Sequence, residues 1–569
     1  MRKFRWQLII ALGGIALIVG LLLRQTPPTP SLSPEPVSGG AHVEGLIGHP
    51  VRLNPLLAFD NQVDEDVNRL LYRGLARFDS QGNPVPDLAE QWAVSADASL
   101  VTVTLKDDLY WHDGQPVEAA DIVYTFSKLK EDGYPGPADL HEFWADINIV
   151  LLDEKTVQFQ LPEPYAPFLD FLSIGLLPDH LLRGVAAADL PDHPFNLEPV
   201  GTGPFQFERF LTEGDDITGI SLVAFDQYDD ELPYLDRVEF RYFDGPEAAL
   251  AAYRAREIAA IGRVDDSILQ PVLDDVGLNL YSARMPEVKL IYFNLDNSET
   301  DHLDDPAVRQ SLLLALNRQA IIDLTMAGQA IVAESPILPG TWAYSRDLRQ
   351  TPFDPIEASQ RLDDLGWELP SGALPGSDEY LRSNEEGQSL QFELLHADTP
   401  HDSQIAEMVQ EFWARIGVRV SLEAVEPAEL LSALEDRDYE AALTDLILSR
   451  WPDPDPYPLW HDSQAGTGQN YADFTDRNSG IWLERARTNP DRGQRAELYV
   501  SFQFRFQGQL PALLLYYPIY NYAITPEMQG VTLGPLFDPS DRLANIDQWF
   551  LLSRRGSSAP TPTESEIAP

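Results

Sequence analysis

Stretches that alternate apolar and polar residues recur along this chain, and stretches with apolar residues at helical spacing fall between them. SLVTVTLK from Ser99, KTVQFQL from Lys155, GISLVAF from Gly219, DRVEFRYF from Asp236 and EVKLIYFNL from Glu287 carry the two-residue period of a half-buried strand. EAADIVYTFSKLK from Glu118, PEAALAAYRAREIAA from Pro246, DDPAVRQSLLLALNRQAIIDLTM from Asp304 and SQIAEMVQEFWARIG from Ser403 carry the helical period. NQVDEDVNRLLYRGLARFD predicts a helix burying Val63, Val67, Leu70, Leu71 and Leu75. Strands and helices mixed in this way predict α/β lobes rather than a bundle or a sandwich. The 569 residues correspond to about three or four compact units at roughly 150 residues each. A hydrophobic fraction of 44% supplies the cores.

Charge and cysteine content narrow the partners. Ninety acidic residues against 40 basic ones give a net charge of -50, which repels phosphate backbones and argues against nucleic acid. No cysteine is present, so disulfides, thiolate ligands and thiol nucleophiles are excluded. Arg2, Lys3 and Arg5 precede an uncharged run at 6–23. As a helix this run is about 27 Å long, enough to cross a hydrocarbon core. Residues 1–24 are therefore expected to be a membrane anchor or signal segment, with the rest outside the cytoplasmic membrane. A Pro/Ser-rich tether follows at 25–41, and 553–569 reads as a disordered tail.

Catalytic and metal signatures are weak. HExxH, GxSxG and GxxxxGK[ST] are absent, and the ten histidines are scattered. With 90 acids, a carboxylate pair suited to glycoside hydrolysis occurs almost anywhere and carries little weight. In SRWPDPDPYPLWHDSQ, from Ser449, proline and leucine stand where a calcium loop needs glycine and oxygen ligands. GTGPF at Gly201 reads as a tight turn. Residues 347–389, rich in Pro, Gly and acids around one helix, read as a surface excursion.

Several landmarks resemble one family. LNPLL is followed by LLYRGLARFDSQGNPVPDLAEQWAVSADASLVTVTLKDDLYWHDGQPVEAADIVYTF, and later by PVGTGPFQF, IYFNLDNSETDHLDDPAVRQSLLLALNRQAI with its Asn317-Arg318 pair, WPDPDPYPLWHDSQAGTGQNYADFTD and LPALLLYYPIYNY. Together they resemble the extracytoplasmic solute-binding proteins of peptide/nickel-type ABC transporters, family 5, over about residues 44–552. The resemblance implies a two-lobed α/β fold of the periplasmic-binding-protein type with an extra small domain. Lobe 1 would comprise 42–288, including the small domain at about 59–195, and lobe 2 would comprise 289–510. A return to lobe 1 at 511–552 would follow, with crossings expected near 289–295 and 511–517.

The same resemblance implies a monomeric, non-enzymatic receptor that closes around a small solute, an oligopeptide first, and presents it to a membrane permease. It implies no cofactor and no metal. A non-peptide solute, such as an oligosaccharide or a metal chelate, and a membrane-anchored glycoside hydrolase remain the alternatives. Trp451 stands where the family places a pocket tryptophan, with ordinary core packing as its other reading. Of Tyr516 and Tyr517, one is expected to face the cleft and the other a lobe interior, because strand side chains alternate. Peptide binders of the family pair an aspartate three residues before the Asp-Pro step with the peptide ammonium. Here that position is Pro452, so Asp453 takes the role only in a loop shortened by one residue. The arginine that holds the carboxylate in dipeptide binders falls near His396, which is no equivalent fork of donors.

Overall fold

The structure, a computed structural model, describes residues 38–552. The expected anchor, tether start and tail lie outside the described residues. Among the described residues no helix is long and apolar enough to cross a membrane.

The fold is two-lobed and α/β. In the first lobe, strand Ala41–Ile47 runs parallel to Arg237–Phe243 and to Ala260–Ile261. The antiparallel strands Asp216–Ala224 and Phe205–Glu213 extend this sheet. In the second lobe, Gln391–Ala397 lies parallel to Arg419–Val425 and to Ala441–Ile447, and Glu287–Phe293 pairs antiparallel with Ala441–Ile447. A separate four-stranded antiparallel sheet joins Ala89–Val94, Leu100–Leu105, Thr156–Gln160 and Asn148–Leu151. Helix Ala119–Leu129 packs against it, burying Ile122, Phe126 and Leu129.

One strand links the two large sheets. The first half of Ala512–Ile524 pairs with Glu287–Phe293, and its second half pairs with Asn279–Arg284 and Ala260–Ile261. The change of partner falls at Met285-Pro286 on one side and at Pro518 on the other, where Met285 N–H donates to Pro518 O at 2.9 Å. Proline has no N–H to give, so the ladder with Glu287–Phe293 gives way here to that with Asn279–Arg284, while strand Ala330–Val332 pairs with 516–518.

The helix expected through Leu75 stops at Leu71. Its end is dictated by close approach: a Cβ on Gly74 would lie 2.5 Å from Leu172 O, and the chain turns into strand Ala76–Phe78 instead. The GTGPF turn explains itself in the same way. A Cβ on Gly201 would meet Leu71 O at 1.8 Å, and one on Gly203 would meet Leu70 O at 2.1 Å. Gly201 N–H donates to His112 Nδ1 at 3.1 Å, leaving Nε2 to donate to Gly203 O at 3.1 Å. Burial holds this imidazole neutral, with its pKa down at about 4. The WHDG and GTGPF landmarks are therefore two sides of one structural joint. Asn317 caps helix Arg318–Thr325, and Arg318 donates to Ala333 O at 2.6 Å and Leu514 O at 3.0 Å, which is again architecture.

Candidate functional site

Ligands of open α/β sheets sit beyond the carboxyl ends of parallel strands. In the first lobe those ends converge on a cavity of about 230 Å³ lined by Leu46, Ile47, Gly262, Arg263, Tyr520 and Asp66. Its floor is a fully buried charge network. Arg542 donates to both oxygens of Asp66, at 2.6 and 2.7 Å, and to Glu44 at 2.6 Å. Tyr522 Oη donates to Glu44 at 2.9 Å. Burial alone would raise the Glu44 carboxyl, but Arg542 and His42 overcome it and hold it near 2. For Asp66 burial prevails over Arg542, and its carboxyl rises to about 6.

The second lobe presents the ends of Gln391–Ala397 and Ala441–Ile447 and the start of helix Pro400–Ala414. Lys289 Nζ lies 2.6 Å from Asp402 and 2.7 Å from Asp445. His401 Nε2 is 3.0 Å from Tyr516 Oη. Two residues before Lys289 on the same strand, burial raises the Glu287 carboxyl and Asp445 raises it further, while Lys289 and the first lobe's Arg263 oppose them.

The proline-rich loop at 449–456 packs against the segment at 165–171. Trp451 packs its ring on Phe171, with centroids 4.3 Å apart. Tyr165 Oη donates to Asp455 at 2.9 Å, and Arg487 holds the same carboxylate at 2.9 Å. Asp453 N–H donates to Asp170 at 3.0 Å. Trp342 Nε1 donates to Pro452 O at 3.0 Å, and Arg492 donates to Gly82 O at 2.9 Å. Three prolines in six residues leave the loop few alternative conformations to lose when it docks.

Each residue singled out from the sequence has a definite place. Trp451 is half-buried at the inter-lobe contact just described. Asp453 is buried, and its carboxylate is ion-paired with Arg495. Tyr516 and Tyr517 point to opposite faces of the sheet, but both are buried, so neither faces the cleft as expected: Tyr516 lies in one core with Oη 3.0 Å from His401 Nε2, and Tyr517 lies in another and donates to Ser335 O at 2.5 Å. His396 is buried near the end of its strand, with Nδ1 2.9 Å from Ala397 O. The structure brings Trp451 and Asp453 together and leaves His396, Tyr516 and Tyr517 in the second lobe's interior. Tyr165, Asp170, Phe171 and Arg495 were not anticipated. The first three lie about 280 residues before their partners, and no local pattern marks them. Among the described residues, no group of three or more His, Asp or Glu side chains is placed to hold a metal ion.

Comparison with known proteins agrees with this architecture. Residues 83–469 match the model of the bacterial extracellular solute-binding proteins, family 5 Middle. The oligopeptide-binding protein AppA of Bacillus subtilis is 28% identical over 529 residues, 91% of this chain and 92% of its own. The dipeptide-binding protein of Escherichia coli is 26% identical over 521 residues, 86% of this chain and 91% of its own. The solved structure of Bacillus subtilis AppA in complex with a nonapeptide superposes with a TM-score of 0.69 at 26% identity, covering 91% of this chain and 100% of that one. With two parallel-strand ends meeting across one shared strand and a family match over most of its length, this chain belongs to the family 5 bacterial extracellular solute-binding proteins.

Proposed function

We propose that the protein is the extracytoplasmic receptor of an ABC import system, which closes its lobes on a peptide or peptide-like solute and passes it to a membrane permease. The observation that carries this reading is the strand Ala512–Ile524, shared by both sheets, which changes its ladder partner at Pro518 beside Pro286. A bend there brings the cavity beside Tyr520 and the Lys289–Asp402–Asp445 cluster together or apart with little loss of packing in either lobe. Ligand that touches both walls populates the closed form. The peptide-binding names of the relatives support the solute class, and main-chain hydrogen bonding to an extended peptide accounts for sequence-tolerant affinity. The uncharged run at 6–23 is read as the anchor that keeps this receptor at the membrane, with 25–41 as its tether.

Mass spectrometry of whatever copurifies with the protein, followed by calorimetry with the recovered species, tests the proposal. Peptides that rebind with a compaction of the chain in solution scattering are expected. Turnover of an oligosaccharide, or a copurifying species that is not peptide-like, would overturn it.

A further inference from the structure

The contact between loop 449–456 and segment 165–171 holds three carboxylates and three arginines, but only two of the arginines are spent on carboxylates. Asp455 is paired with Arg487, and Asp453 with Arg495. Arg492 turns to the backbone oxygens of Gln81 and Gly82. Asp170 is left with a single hydrogen bond, from Asp453 N–H, and among the described residues no cation is within ion-pair distance of it. It is only 5% exposed, and Asp453 is 8% exposed. The groups facing it are Asp453 from the loop and Arg492 and Arg495 from helix Arg492–Gln509, and around them Tyr499 meets Asp453 while Tyr165 and Arg487 of helix Arg477–Thr488 meet Asp455.

We propose that docking of the two lobes is proton-linked at Asp170: the loop seats fully only when this carboxyl carries a proton, so that closure takes up one proton from solution. An isolated buried carboxylate beside a second one is costly, and protonation is the ordinary escape. Burial, with the Asp453 charge adding to it, pushes the Asp170 carboxyl up to about 8, while Arg495 and Arg492 oppose too weakly. When the lobes separate, Asp170 meets water and returns to the ordinary range near 4. The sign follows. The closed form has its full advantage below about pH 4, loses it as pH climbs, and retains none above about 8. Solute capture is then favoured where the medium outside the membrane is acidic. The inference rests on the reading that the lobes open and close, and not on the identity of the solute.

The chain has no cysteine, so Glu163→Cys and Glu484→Cys place two unique spin labels on exposed positions on either side of this contact. Inter-label distances in the ligand-free protein are read from pH 4.5 to 8.5. The closed-to-open ratio is expected to fall roughly 10- to 100-fold between pH 5 and 7, approaching tenfold per unit for one proton. In Asp170→Asn the amide N–H stands in for the carboxyl O–H, so the ratio should stay high and change less than about threefold. Two distances with a pH-independent ratio, or an unchanged slope in Asp170→Asn, overturn the proton linkage and leave closure intact. A single distance at every pH overturns closure itself.

Discussion

Trp451 meets Phe171 across the lobes, so its contribution to binding should depend on that ring. The centroids lie 4.3 Å apart at an interplanar angle of 34°. An aromatic pair of this kind contributes about 0.5–1.5 kcal/mol beyond the area it buries. If the pair stabilises the closed form, each single truncation to alanine lowers apparent affinity through the population of the binding-competent state. Phe171→Ala is expected to weaken the recovered ligand by about tenfold. Trp451→Ala should do so by the same factor. The double variant should lose little beyond the larger single effect, giving a coupling of about 0.5–1.5 kcal/mol in a calorimetric double-mutant cycle. Losses that add to within about 0.3 kcal/mol would refute the clasp. Trp451 would then act on the ligand alone.

Other perturbations test the framework. Arg542→Met leaves Glu44 and Asp66 buried without their cation and should destabilise the first lobe by about 3–5 kcal/mol at neutral pH in thermal or urea unfolding. Glu44, held near 2 against an ordinary 4.5, brings stability that is complete above 4.5 and is lost as pH falls towards 2. The deficit of Arg542→Met should therefore narrow in acid, and a constant deficit would contradict the pairing. Asp453→Asn should weaken a free-amine peptide and its N-acetylated twin by the same factor, since the carboxylate already serves Arg495; a selective loss for the free amine would show that it serves the ligand. Gly201→Ala drives a methyl into Leu71 O and should cost about 3 kcal/mol or more of stability, whereas a native melting temperature would exclude the close approach.

Much of the fold was legible along the chain. The alternation in SLVTVTLK, GISLVAF and DRVEFRYF became strands, and the PEAALAAYRA run became a helix, because burial of one face is a local demand that spacing records. DDPAVRQSLLLALNRQAIIDLTM was read as one helical stretch and is two helices, parted where Asn317 caps the second. Leu75 was apolar at helical spacing but lies past the helix end, because Gly74 must pass against Leu172 O; periodicity reports burial and not the partner that supplies it.

The candidate site was legible only in part. The sequence by itself determined the lobes, the tight GTGPF turn and the stiffness of the proline-rich loop, since spacing, glycine and proline act on the nearest few residues. Tertiary structure alone decided what that loop touches. Asp453 carries the same charge whether it faces a ligand or Arg495, and nothing near Asp170 in the chain marks it as buried. The pairings lie about 40 and about 280 residues apart, and the environment of a charge is set by what packs over it, which no neighbouring residue in the chain can specify.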